Sequence, residues 1–476
     1  RRPGARRPPP PTPPPPPGAA PPPAPPAPAA RAAEGRPPAV GPVPLTPVQR
    51  WFFDTHDHPH HFNQSVLLEL GAPADRAALT AALESLVEHH DALRMRYTRT
   101  VDGWAQENPP YRAGEPLLRV VDTSATPDGE LGALLDREAR ATQAGFDLDR
   151  GPLLAAVLFE SGGRRRDRLF LTVHHLVVDT VSWNILLDDL DAAHTQAAAG
   201  RPVDLGPRST TFQEWSARLV EHVRSGALDH ELDHWNGVGA ARPVPRDLDG
   251  VATVGGGREV RVRLGAEDSA QLAEHAPTVY RTRVEEIALA ALARVLARWT
   301  GEDEVTVDLE GHGRERLLDD VDLSRTVGWF TAVHPVRLTV PEGDDWRALT
   351  RIVRRQLRAV PGKGLGHGPL RHLHPDTVLT GPDPDVVFNF LGRHRSDGGP
   401  GSGLVHTVHG AIGQDLGPDD RMEHVLEIVG GIHDGRLEFT WYYSPSVHHH
   451  GTVERLAAEF ADVLRAIADE CREVRG

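Results

Sequence analysis

The chain is poor in cysteine and in lysine. Its 476 residues hold one cysteine, Cys471, which excludes an internal disulfide, a cysteine-based zinc cluster and a two-thiol racemase site. Lys363 is the only lysine, every other basic side chain apart from histidine being arginine. A pyridoxal phosphate enzyme forms a Schiff base on lysine, so that class hangs on one position. No run reaches the about 18 apolar residues of a membrane span, and the first residues carry Pro and Arg in place of an apolar signal segment. Neither a membrane partner nor secretion is expected, and the expected compartment is the cytoplasm. With 52 Lys+Arg against 67 Asp+Glu the net charge is −15, which argues against nucleic acid as the main partner, since backbone binding draws on a basic surface. The 26 histidines soften that only slightly.

What is abundant is proline, and it is unevenly placed. Of the 43 prolines, 20 lie before residue 45, mixed with Ala, Gly and Arg. Such a stretch cannot bury apolar area, so residues 1–42 are expected to be a disordered, polyproline-type linker. From Leu45 onward strand-like and helix-like patterns alternate without a repeat. Strands are expected over 62–70, 153–159, 168–173, 304–310, 385–390 and across 425–443. Helices are expected over 74–93, 181–198, from 212, and over 284–299, 346–360 and 453–471. The Pro- and Gly-bearing stretch 201–208 reads as a loop between two lobes, 43–208 and 209–476. The fold class is therefore α/β or α+β in two lobes.

The most informative run is His174-His175-Leu-Val-Val-Asp179-Thr-Val-Ser182-Trp183, placed where an apolar strand ends and a helix begins. Successive side chains on a strand point to opposite faces, so one histidine can face a cavity while the other is held inside. Asp179 stands where it can fix the loop by accepting hydrogen bonds or by pairing with an Arg. A second run, Glu310-Gly-His312-Gly-Arg314-Glu315, follows the strand pattern Val305-Thr-Val-Asp-Leu, and its glycines permit a tight turn. Asn389 sits in a strand-end Phe-Asn-Phe, as a donor into a cavity or as a satisfied strand-end group.

The HHxxxDxxSW pattern resembles the HHxxxD signature of the condensation superfamily of nonribosomal peptide synthetases, which is related to chloramphenicol acetyltransferase. Condensation members usually read HHxxxDGxS; Thr180 after Asp179 and Trp183 after Ser182 look like the epimerization branch. The runs Pro47-Val-Gln-Arg-Trp51-Phe52, His61-Phe-Asn-Gln-Ser65, Glu310 to Glu315, Val327-Gly-Trp-Phe-Thr331 and Phe388-Asn-Phe-Leu-Gly-Arg393 agree with that branch, over about residues 43–470. The resemblance implies two acetyltransferase-like lobes in a V with a tunnel between them. It implies an aminoacyl or peptidyl thioester carried on the 4'-phosphopantetheine arm of an upstream peptidyl carrier domain, with a downstream condensation domain as a further partner. The implied reaction is L-to-D inversion at the α-carbon with no cofactor of the chain's own; such an inversion needs a proton removed on one face and returned on the other, and with lysine and thiol pairs nearly excluded a His and a carboxylate are the natural pair for it. It makes His175 the active-site histidine and Glu310 the catalytic glutamate, with His174, Asp179, Ser182, Trp183, His312, Arg314 and Asn389 in support.

Two other readings stay open: an amide-bond-forming condensation domain using the same histidine, and a silent module that only docks a carrier. In the Gly-rich run around Lys363, His367 stands where the family usually has Tyr. The lone ammonium of Lys363 is either incidental or a contact for the phosphate of the carrier arm. His448-His449-His450 lack cysteine partners and are expected to form a solvated loop rather than a metal site.

Overall fold

The computed structural model describes residues 39–473 apart from 239–241, 377–378, 380–382 and 395–402. Most of the expected linker lies outside the described residues; its last part does not, because Gly41–Val43 pairs as a short strand with Gly103–Asn108, which pairs in turn with Arg96–Thr100.

Local signals set the helix starts. Asp75 accepts from the amides of Ala77 and Ala78 ahead of the helix Arg76–His89. Asp179, Thr211 and Asp345 cap the helices Thr180–Ala198, Phe212–Arg224 and Trp346–Ala359 in the same way, each taking an amide of the first turn that has no partner within the helix. Expected helices and strands lie within a few residues of these positions. Sequence patterning misses elements whose composition hides them: the helix Asp128–Gln143, which carries Gly129 and Gly132, and the charged edge strand Arg258–Arg263.

Two sheets organise the molecule. The first runs, in spatial order, Val405–Val408, Asn63–Leu70, Arg168–His174, Leu154–Glu160 and Leu118–Asp122; only its last pair is parallel. The second runs Ala332–Thr339, Glu304–Gly311, Val386–His394, Leu426–His433, Arg436–Tyr443 and Arg258–Arg263, with a parallel centre and antiparallel flanks. Helices Arg76–His89 and Thr180–Ala198 pack side by side in the first lobe; Val284–Thr300 packs against His450–Glu473 and Trp346–Ala359 in the second. This is the expected mixed α/β architecture, built on two sheets that each carry helices.

The chain order and the lobes part company once. Residues 404–417, late in the sequence, return to the first lobe: Val405–Val408 adds an edge strand beside Leu68–Leu70, Asn63 donates its amide to Asp415, and Gly417 donates to His61. The triple histidine also departs from expectation. His448 is fully buried against Trp299, with Asp247 3.6 Å away, and His450 opens the last helix, so only part of that run is solvated.

Burial of histidine gives the fold a pH signature. His56, His89, His334, His367 and His372 are pushed down to about 4 and His174 to about 3, in each case chiefly by burial. Below the ordinary histidine value of 6.5 the unfolded chain binds protons that these six folded side chains refuse, so stability is lost as pH falls from 6.5 towards 4. Glu310 and Glu423, pushed up to about 7 and about 8, act the other way, as do the raised Asp91, Asp308, Asp415, Asp420, Glu427 and His424; the six histidines, joined by His175, His194, His234 and His448, which burial also lowers, outnumber them. The thermal midpoint is expected to fall steadily between pH 7 and pH 5; a flat or rising profile would refute neutral burial of these histidines.

Candidate active site

The two sheets present the ends of their strands to one cavity of about 1320 Å³, lined among others by Gln64, His175, Glu310, Trp329, Val387, Glu423, His424, Glu427 and Tyr442. His175 enters it from the first lobe and Glu310 from the second.

The histidine pair divides as expected, one inward and one to the cavity, although only His174 belongs to the strand. His174 ends the strand Arg168–His174 and is completely buried, its Nε2 2.8 Å from the carbonyl of Pro59 and its Nδ1 accepting from the amide of Leu176. It is a neutral structural group. His175 opens the next turn, its ring stacked on Phe62 at 5.2 Å and packed against Trp329 at 4.4 Å. Burial lowers its pKa from the ordinary value, so it too is neutral near pH 7. Gln49 of the helix Pro47–Thr55 donates to the carbonyl of Leu176 and to the hydroxyl of Tyr97, which fixes the turn from behind.

Glu310 owes its place to register. Asp308 and Glu310 alternate with Leu309 and share one sheet face, and parallel pairing of Asp308 with Val387 brings Asn389 beside Glu310. Asn389 hydrogen-bonds the Glu310 carboxyl. The carboxyl is open to the cavity, but protein surrounds the cavity itself, and this desolvation followed by repulsion from Glu427 pushes its pKa up to about 7. In the loop after it, Gly313 has φ +65° and a Cβ there would lie 1.6 Å from the carbonyl oxygen of Phe330, so glycine is required.

Asp179 and Arg314 lock the two lobes together. Arg314 Nη2 meets both carboxylate oxygens of Asp179, at 3.0 and 3.1 Å, and the hydroxyl of Ser182 at 2.9 Å. Asp179 also accepts from the amides of Ser182 and Phe330, while Ser182 donates to the carbonyl of Gly328 and accepts from its amide. Arg314 Nη1 takes the carbonyls of Leu323 and Thr326, and its guanidinium lies 4.1 Å over the Phe330 ring. Trp183 reaches Gln64 at 3.0 Å.

The remaining candidates stand further off. His312 is exposed; its Nδ1 accepts from the amide of Arg314 and its Nε2 lies 3.4 Å from Glu315, so it shapes the loop and does not line the cavity. Lys363 is exposed in a turn with φ +54° and is not among the cavity-lining residues, although Leu365 and His367 beyond it are.

Sequence reasoning gives no role to several residues of the site: Gln64, Trp329, Asp308, Glu423, His424 and Glu427. Glu423 lies 3.2 Å from His56; with the acid raised to about 8 and the imidazole lowered to about 4, both by burial, the pair is neutral, the acid proton facing Nε2. His424 pairs with Asp308 at 2.9 Å and is raised: burial works against it, and the Asp308 hydrogen bond and charge outweigh burial. A readable signal exists for Glu427, a carboxylate inside the otherwise apolar strand Leu426–His433.

A model of the condensation domain family matches residues 40–475, and the chain belongs to that family. It is 39% identical over 444 residues, 90% of its length, to a protein of the linear gramicidin synthase of Brevibacillus parabrevis, and 40% identical over 444 residues to chondramide synthase cmdD of Chondromyces crocatus. It spans 6% and 11% of the length of those two relatives. Among solved structures it is similar to the epimerization domain from the third module of tyrocidine synthetase B, with a TM-score of 0.84 and 29% identity over 92% of this chain and 98% of that one.

Proposed function

We propose that the chain is an epimerization domain, inverting the α-carbon of an aminoacyl or peptidyl thioester held on the phosphopantetheine of a carrier domain in a nonribosomal peptide synthetase. The observation that carries this reading is the cavity shared by a neutral imidazole, His175, and a carboxyl raised to about 7, Glu310, delivered from opposite lobes. One group takes the α-proton, the electron pair passes to the thioester oxygen as an enolate, and the other group returns a proton to the opposite face. Atoms and charge balance when the pair holds one proton in total, and no cofactor of the chain's own is needed. Each positioned acid or base contributes about 10² to 10⁴ in rate. The carrier is expected upstream of the Pro-rich segment, and Lys363 is a candidate contact for the arm's phosphate.

Solvent deuterium wash-in at the α-carbon of a carrier-loaded L-aminoacyl thioester tests the reaction. Inversion exchanges the α-hydrogen, whereas amide-bond formation and mere docking leave it in place.

The raised carboxyl gives the rate a pH signature with a definite sign. Inversion needs one proton on the pair, so the rate falls on the alkaline side as Glu310 loses its proton near pH 7 and on the acid side as His175 gains one below 6.5. Glu427 raises the Glu310 pKa and the Asn389 hydrogen bond lowers it. Glu427→Gln is therefore expected to move the alkaline limb to lower pH and Asn389→Ala to higher pH, read from kcat/KM profiles. Shifts of the same sign in both variants would sink this assignment.

A further inference from the structure

We propose that Trp183 and Gln64 form a positioning relay that holds His175 as the neutral Nδ1–H tautomer, leaving Nε2 as the basic nitrogen with its lone pair on the Gln64 amide at the cavity wall. This deepens the epimerase reading and, for its catalytic meaning, rests on it. The relay follows from three contacts and the donor capacity of each group. The indole Nε1 of Trp183 can only donate, and it lies 3.0 Å from Gln64 Oε1. Turning the amide over would set its NH₂ against the indole N–H, donor to donor, so the carbonyl is fixed on the Trp183 side. The amide nitrogen, also only a donor, then faces His175 Nε2 at 2.9 Å, and that nitrogen must carry the lone pair. At the far side of the ring Nδ1 is 2.8 Å from the carbonyl oxygen of Val178, which only accepts, so Nδ1 carries the hydrogen. The three contacts admit one assignment.

The consequence is chemical. An imidazolium would place Nε2–H against the amide N–H, and relieving that clash means turning Gln64 over and breaking its bond to Trp183. The relay thus opposes premature protonation of the base while leaving Nε2 free to take a proton once substrate displaces the amide. Its parts come from different elements: Gln64 from the strand Asn63–Leu70, paired with Val173, and Trp183 from the first turn of Thr180–Ala198. The other ionisable groups around the ring leave this role open. His174 lies behind it with its nitrogens engaged, His56 approaches from Pro47–Thr55 and is neutral, Asp179 is committed to Arg314, and Glu310 stands across the cavity. The ring faces of Phe62 and Trp329 would favour a cation, so they do not enforce neutrality.

Two-bond ¹H–¹⁵N spectra of the ¹⁵N-histidine-labelled protein, with His175 assigned by its loss in His175→Gln, read tautomer and titration without substrate. The wild type is expected to show the Nδ1–H pattern and to titrate below 6.5. Trp183→Phe frees the amide to turn and is expected to raise the His175 pKa by about one unit. Gln64→Met removes the opposing donor and should raise it similarly, while Gln64→Glu, pairing with the imidazolium, should raise it by about two units or more. With loaded carrier, the acid limb of kcat should move with these values while KM stays within twofold. An Nε2–H pattern in the wild type, or unshifted titration in both Trp183→Phe and Gln64→Met, overturns the relay. Wild-type protein with the expected tautomer and shifts but no α-deuterium wash-in would overturn the epimerase reading and leave the relay standing.

Discussion

Glu310→Gln is expected to abolish net inversion from both the L and the D thioester, with a loss of at least about 10² in rate, while the fold and carrier binding persist. The amide keeps the shape of the side chain and can still meet Asn389, but it has no proton to lose at pH 7, where the wild-type carboxyl sits near its pKa of about 7. His175→Ala is expected to lose as much, because burial leaves that imidazole as the neutral base of its lobe. A partial reaction separates the two. In each variant the surviving group still faces one side of the α-carbon and can exchange that hydrogen with solvent without inverting it. Deuterium wash-in from the L and from the D substrate, measured separately, should therefore persist for one enantiomer in Glu310→Gln and for the other in His175→Ala. That pattern assigns a face to each residue. Inversion at the wild-type rate in Glu310→Gln would reduce the loop after it to scaffolding.

Much of this site is legible in the sequence because its residues sit where secondary structure changes. His174 and His175 stand where an apolar strand ends, so alternation leads one to expect one buried and one facing a cavity; the strand Arg168–His174 buries the first, and the turn His175–Val177 that follows delivers the second to the cavity. Glu310 follows a strand pattern and precedes glycines, and Gly313 is held at positive φ against Phe330. What stays hidden depends on pairing across the sheet. Asn389 reaches Glu310 only because Glu304–Gly311 and Val386–His394 are parallel in a particular register, and Glu427 acts on Glu310 from the next strand over. The return of residues 404–417 to the first lobe is equally hidden, since a four-residue edge strand carries too little pattern to announce its partner. Gln64 stands in the run from His61 to Ser65 without a legible role, because an amide has no chemistry of its own until a donor such as Trp183 fixes which way it points.

Asp179 is the residue whose loss should damage stability and rate together. Its carboxylate is almost fully buried, as is the Arg314 guanidinium it meets through both oxygens, and the same two oxygens cap Thr180–Ala198 through Ser182 and hold the amide of Phe330. Removing one partner of such a pair leaves the other charge buried and unpaired, which typically costs about 3 to 5 kcal/mol. Asp179→Ala is thus expected to lower the unfolding free energy by that amount in denaturant titrations. The damage extends to His175 by a short path: Phe330 follows Trp329, whose ring packs on His175, and the Asp179 cap fixes the helix turn that presents Trp183 to Gln64. Arg314→Met should cost a comparable amount, and the double variant Asp179→Ala, Arg314→Met should lose clearly less than the two single losses added, because no charge remains stranded. If Asp179→Ala proves as stable as the wild type yet inactive, the carboxylate is not holding the lobes together, and a direct part in the proton transfer would have to be given to Asp179 itself.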